Sequence, residues 1–142
     1  RTGGDAVIGD DDRASLDRRR RAPLTKELAA AIDFTLALQH PDGEWGFRNN
    51  MCINFDALWV LYRLDRQLQS THRHADIVAA GNRTAKFLLE RYRKADGGFA
   101  FTGKDCWTIH HSIRISDAYP EGDIVGTHMS LACLAYADEW NR

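Results

Sequence analysis

The stretch Gln39-His40-Pro41-Asp42-Gly43-Glu44-Trp45-Gly46-Phe47 decides the reading of this chain. Pro41 and Gly43 end the helix that precedes them. The glycines permit a tight turn, Asp42 can bond back to nearby backbone N–H groups, and Trp45 brings a large ring to bury. Asp96-Gly97-Gly98-Phe99-Ala100-Phe101 repeats the plan D-G-x-aromatic-G/A-F, with Asp42 and Asp96 54 residues apart. The preceding segments also match, 31–47 against 84–101 with one extra residue in the second. This is an internal repeat.

Outward from the turns the spacing predicts helices. Thr25 can cap a first helix, with Leu24, Leu28, Ile32 and Thr35 at helical spacing and Phe34 and Leu38 widening the face. It should stop near His40. A second helix is predicted over 53–68, with Phe55, Leu58, Trp59, Leu61, Tyr62 and Leu64 covering more than one face. Such a helix expects neighbours on several sides. Thr71 can cap a third, over about 73–93, and Asp123 a last, over 124–140. A short helix or turn is expected near 106–115. The fold class is therefore all-α, four long helices in two hairpins over 23–142. Residues 1–22 carry an acidic run, Asp10 to Asp12, and a basic run, Arg18 to Arg21, without an apolar face. They read as an extended or mobile arm, a solvated linker rather than a phosphate grip or a metal cluster.

The segment Gln39 to Gly46 resembles the QW motif of the terpenoid cyclase and protein prenyltransferase superfamily, and residues 96–101 resemble a weaker second copy. The resemblance covers residues 24–140. It implies an α/α toroid, an inner and an outer ring of helices joined by such turns, with the motif's Gln and Trp as a clasp between helix ends. Two hairpins form an incomplete ring. The resemblance thus implies a fragment of an enzyme acting on an apolar isoprenoid, completed by the remainder of a larger toroid or by a second copy of the chain. The chain departs from the family's acidic D-x-D-D pattern, because its run Asp10-Asp11-Asp12 follows Gly9.

Prenyltransferases of this superfamily hold zinc with Asp, Cys and His. Asp105, Cys106 and His128 offer those ligand types, although Asp105 directly precedes Cys106 and the interval to His128 is short. Carboxylate, thiolate and imidazole would leave zinc one open position; zinc or magnesium is the cofactor class considered. Buried small-hydrophobe and helix-start roles for Cys106 and His128 compete with that reading.

The polar segment 105–123 is long for a hairpin connection. It contains His110 and His111, which on a helix would point about 100° apart, so at most one faces a given pocket. Either histidine, with a carboxylate, could serve general acid–base catalysis, and glycan lyases and hydrolases built on α/α toroids use His, Tyr, Asp or Glu in this way. Asp56, on the apolar second helix, is a third catalytic candidate, read as either a first-turn residue favoured by the helix dipole or a cavity-facing acid. Trp59, Tyr62 and Trp107 are the candidate substrate wall, since aromatic faces stabilise cations; core packing is the competing role. A non-catalytic helical module for protein binding is the reading from another class.

Composition sets the frame. The 142 residues are 44% apolar, enough for one domain's core. Nineteen Lys and Arg nearly cancel twenty Asp and Glu, a formal charge of −1, so no overall positive field attracts nucleic acid. No apolar run approaches a membrane span. Three cysteines, at 52, 106 and 133, cannot all pair, which fits a reducing compartment such as the cytoplasm.

Overall fold

The computed structural model of the chain describes residues 25–46, 48–103, 108–110, 112–114, 117 and 119–142. The arm assigned to 1–22 lies outside them. Four helices carry the fold: α1 over 25–37, α2 Met51–Gln67, α3 His74–Arg91 and α4 Ile124–Trp140. The last matches the expected range. Asp123 caps it as anticipated, Oδ1 accepting from Gly126 N at 2.6 Å, while Oδ2 accepts from Phe101 N at 2.7 Å.

Two local expectations are corrected. α2 starts at Met51 rather than 53, because Asn50 supplies a cap, its side-chain oxygen accepting from Cys52 N at 3.0 Å. Asp56 therefore falls in the second turn, exposed, and not in the first turn. Thr71 does not cap α3; its hydroxyl donates to Leu68 O at 2.6 Å and closes the end of α2. The N-cap position is Arg73, left-handed at φ 52°, with its side chain on Asp76 and Asp33. Of the helix or turn expected near 106–115, the described residues show the turn, flanked by a two-strand ladder, β1 Ile109–His110 against β2 Ile113–Arg114. Ser112, at φ 66°, makes the reversal, and the β-branched Ile109 and Ile113 favour the extended backbone.

The two D-G turns are built alike. In the first, His40 N donates to Glu44 O, Gly43 N to His40 O and Gly46 N to Leu38 O. In the second, Lys94 N donates to Gly98 O, Gly97 N to Lys94 O and Ala100 N to Tyr92 O, each 54 residues on. Asp42 and Asp96 both accept from the N–H two residues later. Gly43 and Gly97 sit at φ 98° and 88°, which side chains rarely adopt.

The helices pair by direction. Asp33 meets Arg73 and Gln39 meets Ala80, so α1 and α3 run parallel. Met51 meets Ser130 and Arg66 meets Glu139, so α2 and α4 run parallel as well. α3 returns against α4, with Gly81 beneath Trp140; a Cβ at Gly81 would lie 2.8 Å from the indole. Ile32, Trp45, Met51, Leu58, Leu61, Ile77, Leu88 and Tyr92 are fully buried between these elements.

The junction of α1 with α3 is polar at its centre. Thr84 Oγ1, fully buried, accepts from Trp45 Nε1 at 2.8 Å and from Gln39 Nε2 at 3.0 Å, and donates to Gly43 O at 2.8 Å. The Gln39 amide also donates to Ala80 O at 2.9 Å, and Arg83 donates to the Gln39 carbonyl.

Candidate functional site

The C-terminal ends of α2 and α4 and the start of α3 enclose an open cleft of about 360 Å³, lined by Tyr62, Asp65, Arg66, His74, Glu139 and Trp140 among others. A second hollow of about 470 Å³ shares Tyr62 and Arg66 and adds Arg63 and Gln67.

Asp65 sits on the buried stripe of α2 and is only 2% exposed. A carboxylate in that position needs partners. His74 Nδ1 lies 3.0 and 3.1 Å from its two oxygens, and Ser70 Oγ donates to it at 3.3 Å. With Nδ1–H held by the acid, the imidazole presents Nε2 as its remaining proton-accepting atom. Beside it, Tyr62 Oη donates to Glu139 Oε2 at 2.7 Å and accepts from Arg66 at 2.7 Å. Arg66 also donates to Glu139 Oε1 at 2.6 Å and stands 5.4 Å from the Tyr62 ring centre.

An aromatic wall continues from this point. The Tyr62 ring stacks on Tyr136 at 4.6 Å and lies tilted to Trp140 at 6.0 Å. Trp59, one turn before Arg63 on α2, leaves 46% of its surface open. Burial pushes the Tyr136 phenol and the Cys133 thiol above their usual ranges, and Asp56 adds to the effect at Cys133. Both groups therefore stay neutral at physiological pH. The wall joins an apolar and aromatic surface to a polar, acid–base end.

A second polar cluster lies at the opposite end of α2. Glu44, 2% exposed, accepts from Tyr92 Oη at 3.2 Å, from Arg48 at 3.2 Å and from Asn49 N. Burial, then the neighbouring Glu44 charge, drives the Tyr92 phenol well above its ordinary value. This cluster closes the loop that leads into α2, and its donors and acceptors are committed to that task.

Tyr62 lines the cleft, and Trp59 stands exposed three residues before it on α2. Asp56, exposed on α2, is close enough to act electrostatically on Cys52 and Cys133. His110 occupies β1; His111, Trp107, Asp105 and Cys106 lie outside the described residues. Of the expected metal set only His128 is described, exposed on α4, and among the described residues no three His, Cys, Asp or Glu side chains group to hold a metal ion. Asp65, His74 and Glu139 were missed by sequence reading. The available signal was Asp65 itself, an acid four residues after Leu61 on a helical apolar stripe. No family model, curated protein or solved structure matches the chain. Among the described residues no helix is long and apolar enough to cross a membrane.

Proposed function

We propose that the chain is part of an α/α toroid of the terpenoid cyclase and protein prenyltransferase type, and that its α2–α4 face takes an isoprenoid substrate. The observation that carries the reading is the aromatic wall of Tyr62, stacked on Tyr136 and tilted to Trp140, with Trp59 open to solvent three residues earlier on α2. Such a surface offers apolar area to a prenyl chain and π faces to a developing cation. The parallel pairing of α1 with α3 and of α2 with α4, across two like-built turns, supports the toroid arrangement. In this reading Asp56, His110 and His111 are the acid–base candidates, Trp59, Tyr62 and Trp107 the substrate-binding candidates, and Asp105, Cys106 and His128 the zinc candidates.

A glycan-processing toroid is favoured by a different observation, the His74–Asp65 pair beside Tyr62, Arg66 and Glu139. There His74 Nε2 would accept the proton and Asp65 would orient the ring. One titration separates the two. Tryptophan fluorescence is followed while farnesyl diphosphate, and separately an acidic oligosaccharide, is added to the wild type, Trp59→Ala and His74→Gln. The isoprenoid reading expects farnesyl diphosphate to bind and Trp59→Ala to weaken it about tenfold. Oligosaccharide binding that fails in His74→Gln selects the glycan reading. Binding of neither ligand removes both enzyme readings and leaves the non-catalytic module.

A further inference from the structure

We propose that the outward face of α4 docks a second copy of this chain through the exposed face of that copy's α1, head to tail. The inference rests on the repeat arrangement read above, and not on the identity of any substrate.

α2 and α4 superpose in sequence with an offset of 73 residues: Asn50 and Asp123 are both N-caps. Asn54 and Thr127 both accept from the N–H of the turn aromatic, Trp45 at 3.0 Å and Phe99 at 2.9 Å. The buried stripe of α2 is Met51, Asn54, Leu58, Leu61 and Asp65. At the same offset α4 carries Ile124, Thr127, Leu131, Leu134 and Asp138, nearly the same chemistry. Yet Ile124 is 88% and Leu131 54% exposed.

The other edge of the molecule has the complementary defect. α1 and α3 relate by the turn offset of 54 residues, and both end at matching positions, 37 and 91. Phe34 and Leu38 are then the equivalents of Leu88 and Tyr92. Leu88 and Tyr92 are fully buried in the same cluster as Met51 and Leu58, whereas Phe34 and Leu38 lie exposed. Inside the chain, therefore, the α2 stripe is covered with the help of α3. The α4 stripe and the α1 face are the same two surfaces without each other. Joining them between copies extends the existing interface by one step. Such a contact is heterologous, using different patches on the two partners, and can continue into a ring.

The test is sedimentation velocity over a wide range of protein concentration. Wild type is expected to self-associate. Leu131→Glu and Phe34→Glu each block one patch, at positions already open to solvent, so thermal melts should stay close to wild type. Each alone should weaken association by at least about tenfold. Mixed together, the two variants should form a heterodimer, because one unblocked patch of each kind remains. A wild type that stays monomeric at every concentration overturns the proposal. So does association that survives either substitution, or a mixture that fails to pair while both variants melt normally. Isoprenoid binding by a strictly monomeric protein would refute the interface and leave the functional reading standing; assembly without binding would do the reverse.

Discussion

Thr84→Val is the most informative single change for the fold. Valine has nearly the volume of threonine, so the change removes a hydroxyl and little else. That hydroxyl accepts from Trp45 Nε1 and Gln39 Nε2 and donates to Gly43 O, all inside the α1–α3 junction. The Gln39 amide keeps Ala80 O at 2.9 Å as a partner, so its loss is small. The indole N–H has no such reserve. Trp45 is fully buried, and an orphaned buried donor costs about 1–3 kcal/mol, with a further loss of about 1 kcal/mol at the Gly43 carbonyl. The expected destabilisation is about 2–4 kcal/mol, a lowering of Tm by about 8–16 °C at about 4 °C per kcal/mol. Thr84→Ser keeps the hydroxyl and removes one methyl, costing about 1 kcal/mol. Urea and thermal unfolding of both variants measure the contrast. The reasoning fails if valine is tolerated within about 0.5 kcal/mol, or if serine proves the more damaging change.

Two further predictions concern other parts of the framework. Gly43→Ala and Gly97→Ala impose the same left-handed strain, φ 98° and 88°, but a Cβ at Gly43 would lie 2.4 Å from Arg83 O while one at Gly97 meets open space. Gly97→Ala should cost about 1–2 kcal/mol and Gly43→Ala clearly more; equal melts would refute the close approach. The raised Tyr92 phenol makes stability alkali-sensitive: above about pH 10 the unfolded state sheds a proton that the folded state keeps, so stability falls as pH rises. Tyr92→Phe should flatten that fall, as urea unfolding on either side of pH 10 would show.

What the sequence disclosed was whatever local chemistry fixes. The turns were legible because Pro41, Gly43, Gly97 and the two aspartates each do a local job, and α4 was legible because Asp123 caps a long apolar run. The start of α2 was missed because two asparagines share the work: Asn49 takes φ 59° and Asn50 caps. The start of α3 has no capping side chain to read; Arg73, at φ 52°, is held by Asp76 and by Asp33, 40 residues away. Strands of two residues, as in β1 and β2, leave no periodicity to read. The His74–Asp65 pair was invisible for a related reason: its members lie on different helices, and only the hairpin brings them together.

The two turns differ in the property that bears most on assembly. At the first turn Gln39 and Trp45 each reach into α3 through a side-chain N–H, and a buried hydroxyl receives both. The equivalent positions of the second turn are Arg93 and Phe99. Phenylalanine has no side-chain N–H, and a guanidinium is costly to bury unpaired. A clasp of the first kind cannot form there. The second copy proposed to dock on α4 would be held by apolar area instead, where Ile124 and Leu131 stand open. A junction of that sort has fewer directional bonds to satisfy and is more readily made and broken between separate molecules. The polar junction is thus the one that folding sets within these residues, and the apolar surface suits the contact proposed between copies.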